Sequence, residues 1–325
     1  MANLLAAARG ALLPEAGTEA QPVRHPKLDG ESWRTWASSP RAQSLLADAL
    51  SGVRVLAAEG PDRALVERWS PSAGAWVAWV EMQRPPEAFF ARQVEAVDAL
   101  LPLRESRSGE IIAQAGAAMP FLLAVAAVPW ERRPRSLEFL AAALAFQQAL
   151  QQRVKHMLGC ARPHHLRPDL MPHVEVPGHA SLPSGHAGES HLVAALIGHW
   201  MRRRFTRDPR PAMLDRMALR IAENRVVAGV HFPVDSMAGR LLGQAVFRHL
   251  RTLCDDKDAQ ACCARFGLPG EDASELGAWM EQVDAEAPDI DQIGAWPLCG
   301  FLDSAHAVDP SQDWRLLWQL ACEEW

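Results

Sequence analysis

Ser181-Leu182-Pro183-Ser184-Gly185-His186 leads straight into the Ala- and Leu-bearing stretch that runs to Arg203. Pro183 and Ser184 are helix-start signals, and Gly185 lets another group come close to the backbone. The free N–H groups and positive dipole end of such a terminus favour a bound anion. His186 then falls in the first turn, facing whatever that cradle holds. On its own, the segment reads equally well as a capped helix start with a satisfied histidine.

Outward from this turn the chain reads helical. Segments rich in Ala, Leu, Arg and Glu predict helices around Arg41–Glu59, Pro86–Leu101, Ser136–Leu158, Ser184–Arg203, Pro211–Ala228 and Pro233–Leu250. No stretch shows sustained alternation of β-branched residues, so the expected fold class is all-α, a helical bundle with extra N- and C-terminal helices. Residues 1–30, with Pro14, Pro22 and Pro26, read as a loose arm. Ile111–Trp130 is a 20-residue run without charge, long enough to cross a bilayer. Gln114, Gly116 and Pro120 interrupt it, and the expectation is a buried helix at the centre of a bundle, with no stable membrane span. From Asp309 onward Trp314, Leu317, Trp318, Ala321 and Trp325 share one helical face, predicted to dock on the core, with a homodimer contact as the alternative.

Composition narrows the function classes. Of 325 residues, 49% are hydrophobic and 22% charged, which excludes disorder over most of the length. The six Cys form no CxxC pair and no His/Cys ligand spacing, which argues against a zinc ribbon or finger. The opening residues, with Arg9 inside a short Ala/Leu stretch, make a poor signal peptide, so the expected setting is cytoplasmic with reduced thiols. There is no Tyr, so tyrosyl chemistry is excluded. Net charge is −1 over residues 1–150, +7 over 151–250 and −12 over 251–325, which points to an anion site in the middle segment. Arg202, Arg203 and Arg204 read as a solvated helix face within it.

Two further motifs flank the first. In Lys155-His-Met-Leu-Gly-Cys-Ala-Arg162-Pro163, seven residues at about 100° each bring Lys155 and Arg162 to one side if the helix continues, and Pro163 ends it at Arg162. In Asn224-Arg225-Val-Val-Ala-Gly-Val-His231-Phe-Pro-Val-Asp235, the four-residue spacing lets the Asp235 carboxylate reach one nitrogen of His231 and fix its tautomer. The other nitrogen is left as nucleophile or ligand. His156, His164, His165 and His173 read as loop and surface residues rather than a metal site, and Cys262–Cys263 as a packing detail.

Together, Lys-x6-Arg-Pro, Pro-Ser-Gly-His and Arg-x5-His-x3-Asp, in this order, resemble the signature of the superfamily of type 2 phosphatidic acid phosphatases, bacterial acid phosphatases and vanadium-dependent haloperoxidases. The resemblance covers residues 150–245, with Asn224 standing where that signature usually has Ser. It implies that Lys155, Arg162 and Arg225, with Ser184 and the Gly185 N–H, hold the oxygens of phosphate or vanadate. It implies further that His231 attacks phosphorus or ligates vanadium, that His186 is the general acid/base, and that Asp235 orients His231. Three segments follow: an N-terminal arm with accessory helices (1–105), a catalytic bundle (106–250) and an acidic extension packing on it (251–325).

The same cradle serves two chemistries. In one, vanadate is the cofactor of a haloperoxidase that oxidises bromide or iodide with hydrogen peroxide, with Lys155 polarising the peroxo group. In the other, no cofactor is needed, and phosphate esters or diphosphates are hydrolysed through a phosphohistidine. Lipid phosphatases of the superfamily have several membrane spans and its secreted acid phosphatases carry signal peptides. His179, five residues before Ser184, matches a histidine of its bromoperoxidases and is a candidate halide site. On those grounds the sequence favours the haloperoxidase, with the phosphatase as alternative and a non-catalytic helical interaction protein as a third class. The partner expected is a small-molecule substrate and not nucleic acid.

Overall fold

The structure, a computed structural model, describes residues 33, 35–57, 62–205, 207–267, 299–303 and 308–325. The arm expected over residues 1–30, and residues 268–298 and 304–307 of the acidic extension, lie outside the described residues. The chain divides into two units, Met1–Trp36 and Ala37–Trp325, and the second carries all the elements described here.

Helix α1 (Ser38–Ser51) is followed by a meander of β1 (Val53–Ala57), β2 (Arg63–Ser70) and β3 (Ala75–Gln83). Then come α2 (Glu87–Leu100), α3 (Arg104–Gly116), α4 (Met119–Ala126), α5 (Pro134–Leu158) and the single turn α6 (Pro163–Leu166). The long helices α7 (Gly185–Arg204), α8 (Arg210–Val227) and α9 (Pro233–Leu253) precede β4 (Cys262–Phe266), β5 (Cys299–Asp303) and α10 (Gln312–Glu323). The fold is therefore mostly helical but not all-α. The five strands among the described residues form one sheet in the order β1-β2-β3-β4-β5. All neighbours pair antiparallel except β3 and β4, which run parallel with Val80 opposite Ala264.

The strands escape a reading by composition for a physical reason. β2 does alternate, but its buried side is Ala64, Val66, Arg68 and Ser70, so polarity does not follow burial. In β3 the buried positions are Trp79, Val80 and Met82, which breaks the period of two at a bulge between Val66 and Glu67 of its partner. The sheet covers α5 and α9: Trp79 lies with its ring centroid 6.4 Å from Phe146 and 4.4 Å from His249. The helix expected over Arg41–Glu59 is thus α1 followed by β1, turned at Gly52.

The apolar run Ile111–Trp130 is not one buried helix. It breaks after Gly116, and α4 turns away; α2–α3 and α4 together have the length and apolarity of a span but are bent by 105°. Among its twenty residues only Ile111, Gln114, Leu122 and Ala126 are buried, and Ile112 is 58% exposed. Gly116 and the Pro120 that starts α4 interrupt the helical hydrogen bonding, as those residue types do. No single helix among the described residues is long and apolar enough to cross a membrane.

The C-terminal face docks inward. Trp314 donates its indole N–H to the Leu45 carbonyl at 3.0 Å and meets Phe139 edge-on, while Trp318 and Trp325 flank Trp200. The Glu324 carboxylate caps α5, accepting from the backbone N–H groups of Arg135 and Ser136 at 2.8 Å each. Helix α5, which carries Lys155 at its far end, is held at its start by α10 and across its flank by the buried Arg41–Glu138 pair.

Candidate active site

Four pieces of chain converge on one place, and the sequence explains each local shape. Helix α5 ends at Leu158 because Gly159 adopts a left-handed conformation, φ 59°, and returns its N–H to the Lys155 carbonyl. Arg162 is therefore not on the same helical face as Lys155, as a continuing helix would require. It is extended, at φ −100° and ψ 161°, as the residue before Pro163 should be. The two cations meet because the chain folds back.

They meet on the loop that precedes α7. Lys155 Nζ donates to the carbonyls of Ala180 and Ser181, both at 2.8 Å. Arg162 donates to the carbonyls of His179 and Val230 at 3.2 and 2.6 Å, the latter next to His231. Arg225, at the end of α8, donates to the Ile111 carbonyl on α3 at 2.8 Å. Lys155, Arg162 and Arg225 are all but fully buried, at 1–2% exposure. Among the described residues none of the three forms an ion pair with a carboxylate; their partners are carbonyls and, for Arg162, the His179 ring as well.

Burial without compensation shows in their acidity. Desolvation pulls the Lys155 ammonium down to about 7, against the opposing charge of Asp235, and Arg225 down to about 10. Arg162 is lowered for the same reason. Three desolvated cations are costly unless something negative joins them. Helix α7 points at the same spot: Ser184 caps it, accepting from Ala187 N, and the N–H groups of Gly185 and His186 have no intrahelical acceptor.

His231 and Asp235 sit at the start of α9. The Asp235 carboxylate caps that helix, accepting from Phe232 N at 2.9 Å, and its Oδ2 also takes His231 Nδ1 at 3.0 Å. Asp235 has no exposure, and burial holds the His231 imidazole down at about 3 even though Asp235 pulls the other way. The ring is neutral at physiological pH, with Nδ1–H on the carboxylate and a lone pair on Nε2. Close approach of α9 to α7 makes this possible. A Cβ on Gly239 would stand 2.3 Å from the Ser184 carbonyl, and one on Gly243 would stand 2.3 Å from that of Gly188. Ser184 N in turn donates to the Asp235 carbonyl at 2.8 Å, so the Pro-Ser-Gly-His and Arg-x5-His-x3-Asp motifs share a backbone bond.

His186 is half-buried. Its Nε2 lies 3.1 Å from the Gln114 carbonyl, and burial first and Arg225 second bring it down to about 4. His179 does not stand free over His186: its Nδ1 is 3.2 Å from Arg162 Nη2 and 3.0 Å from the Ala180 carbonyl. Asn224 donates to Gln114 Oε1 at 3.0 Å, so its amide supplies a link to α3 at the position where the signature usually has Ser. Outside the site, His173 binds Ser108, the rings of His164 and His165 pack together, and no group of three metal-type side chains gathers among the described residues. Cys262 and Cys263 lie side by side in β4, where the Cys263 thiol donates to the Ala78 carbonyl at 2.9 Å.

Three contributors were not legible in the motifs. Ser181 donates its hydroxyl to Asp235 Oδ2 and lies 3.2 Å from His231 Nδ1. Gln114 supplies both a carbonyl and an amide; its only sequence signal was a polar residue inside an apolar run. Glu189, one turn beyond His186, accepts from Gln151 at 3.0 Å, and burial raises its carboxyl above the usual range.

Residues 137–257, which span all three motifs, match the family model described as the PAP2 superfamily. Over that segment, somewhat more than a third of the chain, the protein is similar to the PAP2 superfamily. One solved structure similar to it is the first transmembrane PAP2 type phosphatidylglycerolphosphate phosphatase from Bacillus subtilis, at 20% identity and a TM-score of 0.43, over 53% of this chain and 89% of that one. No curated protein matches. The Ile111 and Gln114 carbonyls lie before the matched span, so α3 adds a wall to the site from outside the PAP2 match.

Proposed function

We propose that the chain is a phosphatase that hydrolyses phosphate esters or diphosphates through a phosphohistidine on His231. The observation that carries this reading is the set of three buried cations, Lys155, Arg162 and Arg225, without a carboxylate partner, beside a neutral histidine whose tautomer Asp235 fixes. Fixed cations and helix N–H groups aimed at one spot stabilise the spread charge of a phosphoryl group in flight. The His231 Nε2 lone pair forms the N–P bond as the P–O bond to the leaving group breaks, and the leaving oxygen takes the Nδ1 proton of His186 in its imidazolium form. The bound phosphate's negative charge favours that form over the neutral ring of the empty site. In the second step His186 takes a proton from water, the oxygen attacks phosphorus, and the N–P bond breaks to free phosphate. With Nε2 engaged by the Gln114 carbonyl, Nδ1 is the His186 nitrogen left for proton exchange.

An oxyanion of vanadium fits the same donors, and when bound would supply Lewis-acid activation of peroxide. The PAP2 match supports phosphatase-type activity and lends nothing to halide oxidation, and His179, the residue that favoured it, is engaged by Arg162. The test is one purified protein in two assays: a chromogenic phosphate ester without added metal, and bromide with peroxide after vanadate loading. Ester hydrolysis that vanadate inhibits competitively is the expected result. Halide oxidation without ester hydrolysis would overturn the reading.

A further inference from the structure

We infer that Ser181 is a positioning residue that ties the nucleophile's carboxylate to the anion cradle, its hydroxyl holding Asp235 and its carbonyl holding Lys155. The inference rests on the phosphohistidine reading for its kinetic part only. Ser181 has no exposure, so each of its polar groups must find a partner inside the protein. Every one of them ends on the site. Its N–H donates to the Cys160 carbonyl at 3.0 Å, between Lys155 and Arg162 in the chain. Its carbonyl accepts from Lys155 Nζ at 2.8 Å. Its hydroxyl donates to Asp235 Oδ2 and lies 3.2 Å from His231 Nδ1.

A hydroxyl has one proton to give, and where it goes decides the chemistry. Given to His231 Nδ1, it would leave the ring proton on Nε2, which then has no lone pair with which to attack phosphorus. Asp235 only accepts, so the hydroxyl and Nδ1–H both point at it and Nε2 stays free. Three donors therefore crowd Oδ2: Ser181 Oγ, His231 Nδ1 and Phe232 N, while Oδ1 has none. The Ser181 donor takes up part of the hydrogen-bonding capacity of Oδ2. Without it, Asp235 would bind Nδ1–H more strongly and would hold the positive charge of a phosphorylated ring longer.

Ser181→Ala removes the hydroxyl and keeps the carbonyl on Lys155, so it isolates this effect. The first readout needs no activity: the His231 Nδ1 proton, followed by nuclear magnetic resonance, moves downfield in Ser181→Ala and returns in Ser181→Thr. Ser181→Cys, a weaker donor of similar volume, gives an intermediate shift and serves if the alanine variant does not fold. In steady-state hydrolysis Ser181→Ala lowers kcat by about ten-fold and KM with it, because release from the phosphoenzyme slows, a loss of the size expected for a hydrogen bond to a charged group. In an Asp235→Asn background the same change has no further effect on the resonance. An unmoved Nδ1 proton, or an equal shift in the Asp235→Asn background, overturns the inference even if the enzyme is a phosphatase. Absence of ester hydrolysis in the wild type, with the resonance shift intact, overturns the phosphatase reading and leaves the positioning role standing.

Discussion

In the proposed reaction His231 attacks phosphorus only while its proton stays on Nδ1, and the group placed to keep it there is Asp235, 3.0 Å away and fully buried. His231→Ala should abolish ester hydrolysis with the fold retained, checked by turnover beside circular dichroism. Asp235→Asn should also cost most of the activity, since an amide offers a donor where the ring needs an acceptor. His186→Ala should lower kcat by roughly 10²–10⁴, the usual worth of a positioned acid/base. Lys155 gives a pH test with a definite sign. Its ammonium, lowered to about 7 by burial, is charged below that pH and neutral above it. Affinity for sulfate, whose own charge is constant, should therefore fall as pH rises through about 7, while Lys155→Met binds weakly with no such slope. Calorimetric titration at several pH values reads this, and a flat wild-type profile would contradict it. The roles of Lys155, His186 and His231 came from the superfamily resemblance, and the reach of Asp235 to His231 from their four-residue spacing. Ser181 was quoted inside a motif but given no role, because hydroxyl direction depends on a chain segment folded against it from α9.

At the scale of elements, the site depends on α7 and α9 touching. Gly239→Ala should push the Ser184 carbonyl away and separate the anion turn from Asp235, costing about 1–3 kcal/mol of stability and most of the activity, measured by urea melts and turnover. The long helices were legible because their capping and breaking residues sit where the structure uses them: Pro134 and Pro233 open α5 and α9, and Ser184 caps α7. The strands were not, since β2 buries Arg68 and Ser70 on its inner side. The helix expected over Ser136–Leu158 ends where α5 does, and what failed is its continuation to Arg162, because Gly159 stops it before Pro163 has any say. The wall made by α3 was hidden for another reason. Ile111 and Gln114 contribute main-chain carbonyls, which every residue owns and no side-chain pattern reveals.

Across the whole molecule, distant segments brace the helix that presents Lys155. Glu324, near the end of the chain, caps the start of α5, and Glu324→Ala should cost about 1 kcal/mol in a urea melt, the usual worth of a lost cap. The charge pattern acts at this scale as well: the +7 of residues 151–250 includes three buried cations, Lys155, Arg162 and Arg225, for which the phosphate of the proposed substrate would supply a counter-charge. The central claim is that this site transfers a phosphoryl group to His231. Rapid quenching of the enzyme in alkali during turnover of a phosphate ester, followed by peptide mass spectrometry, tests it directly. The account predicts one acid-labile, alkali-stable phosphoryl group on His231, more abundant in His186→Ala and absent from His231→Ala. Ester turnover with no phosphorylated His231 in either the wild type or His186→Ala would contradict it.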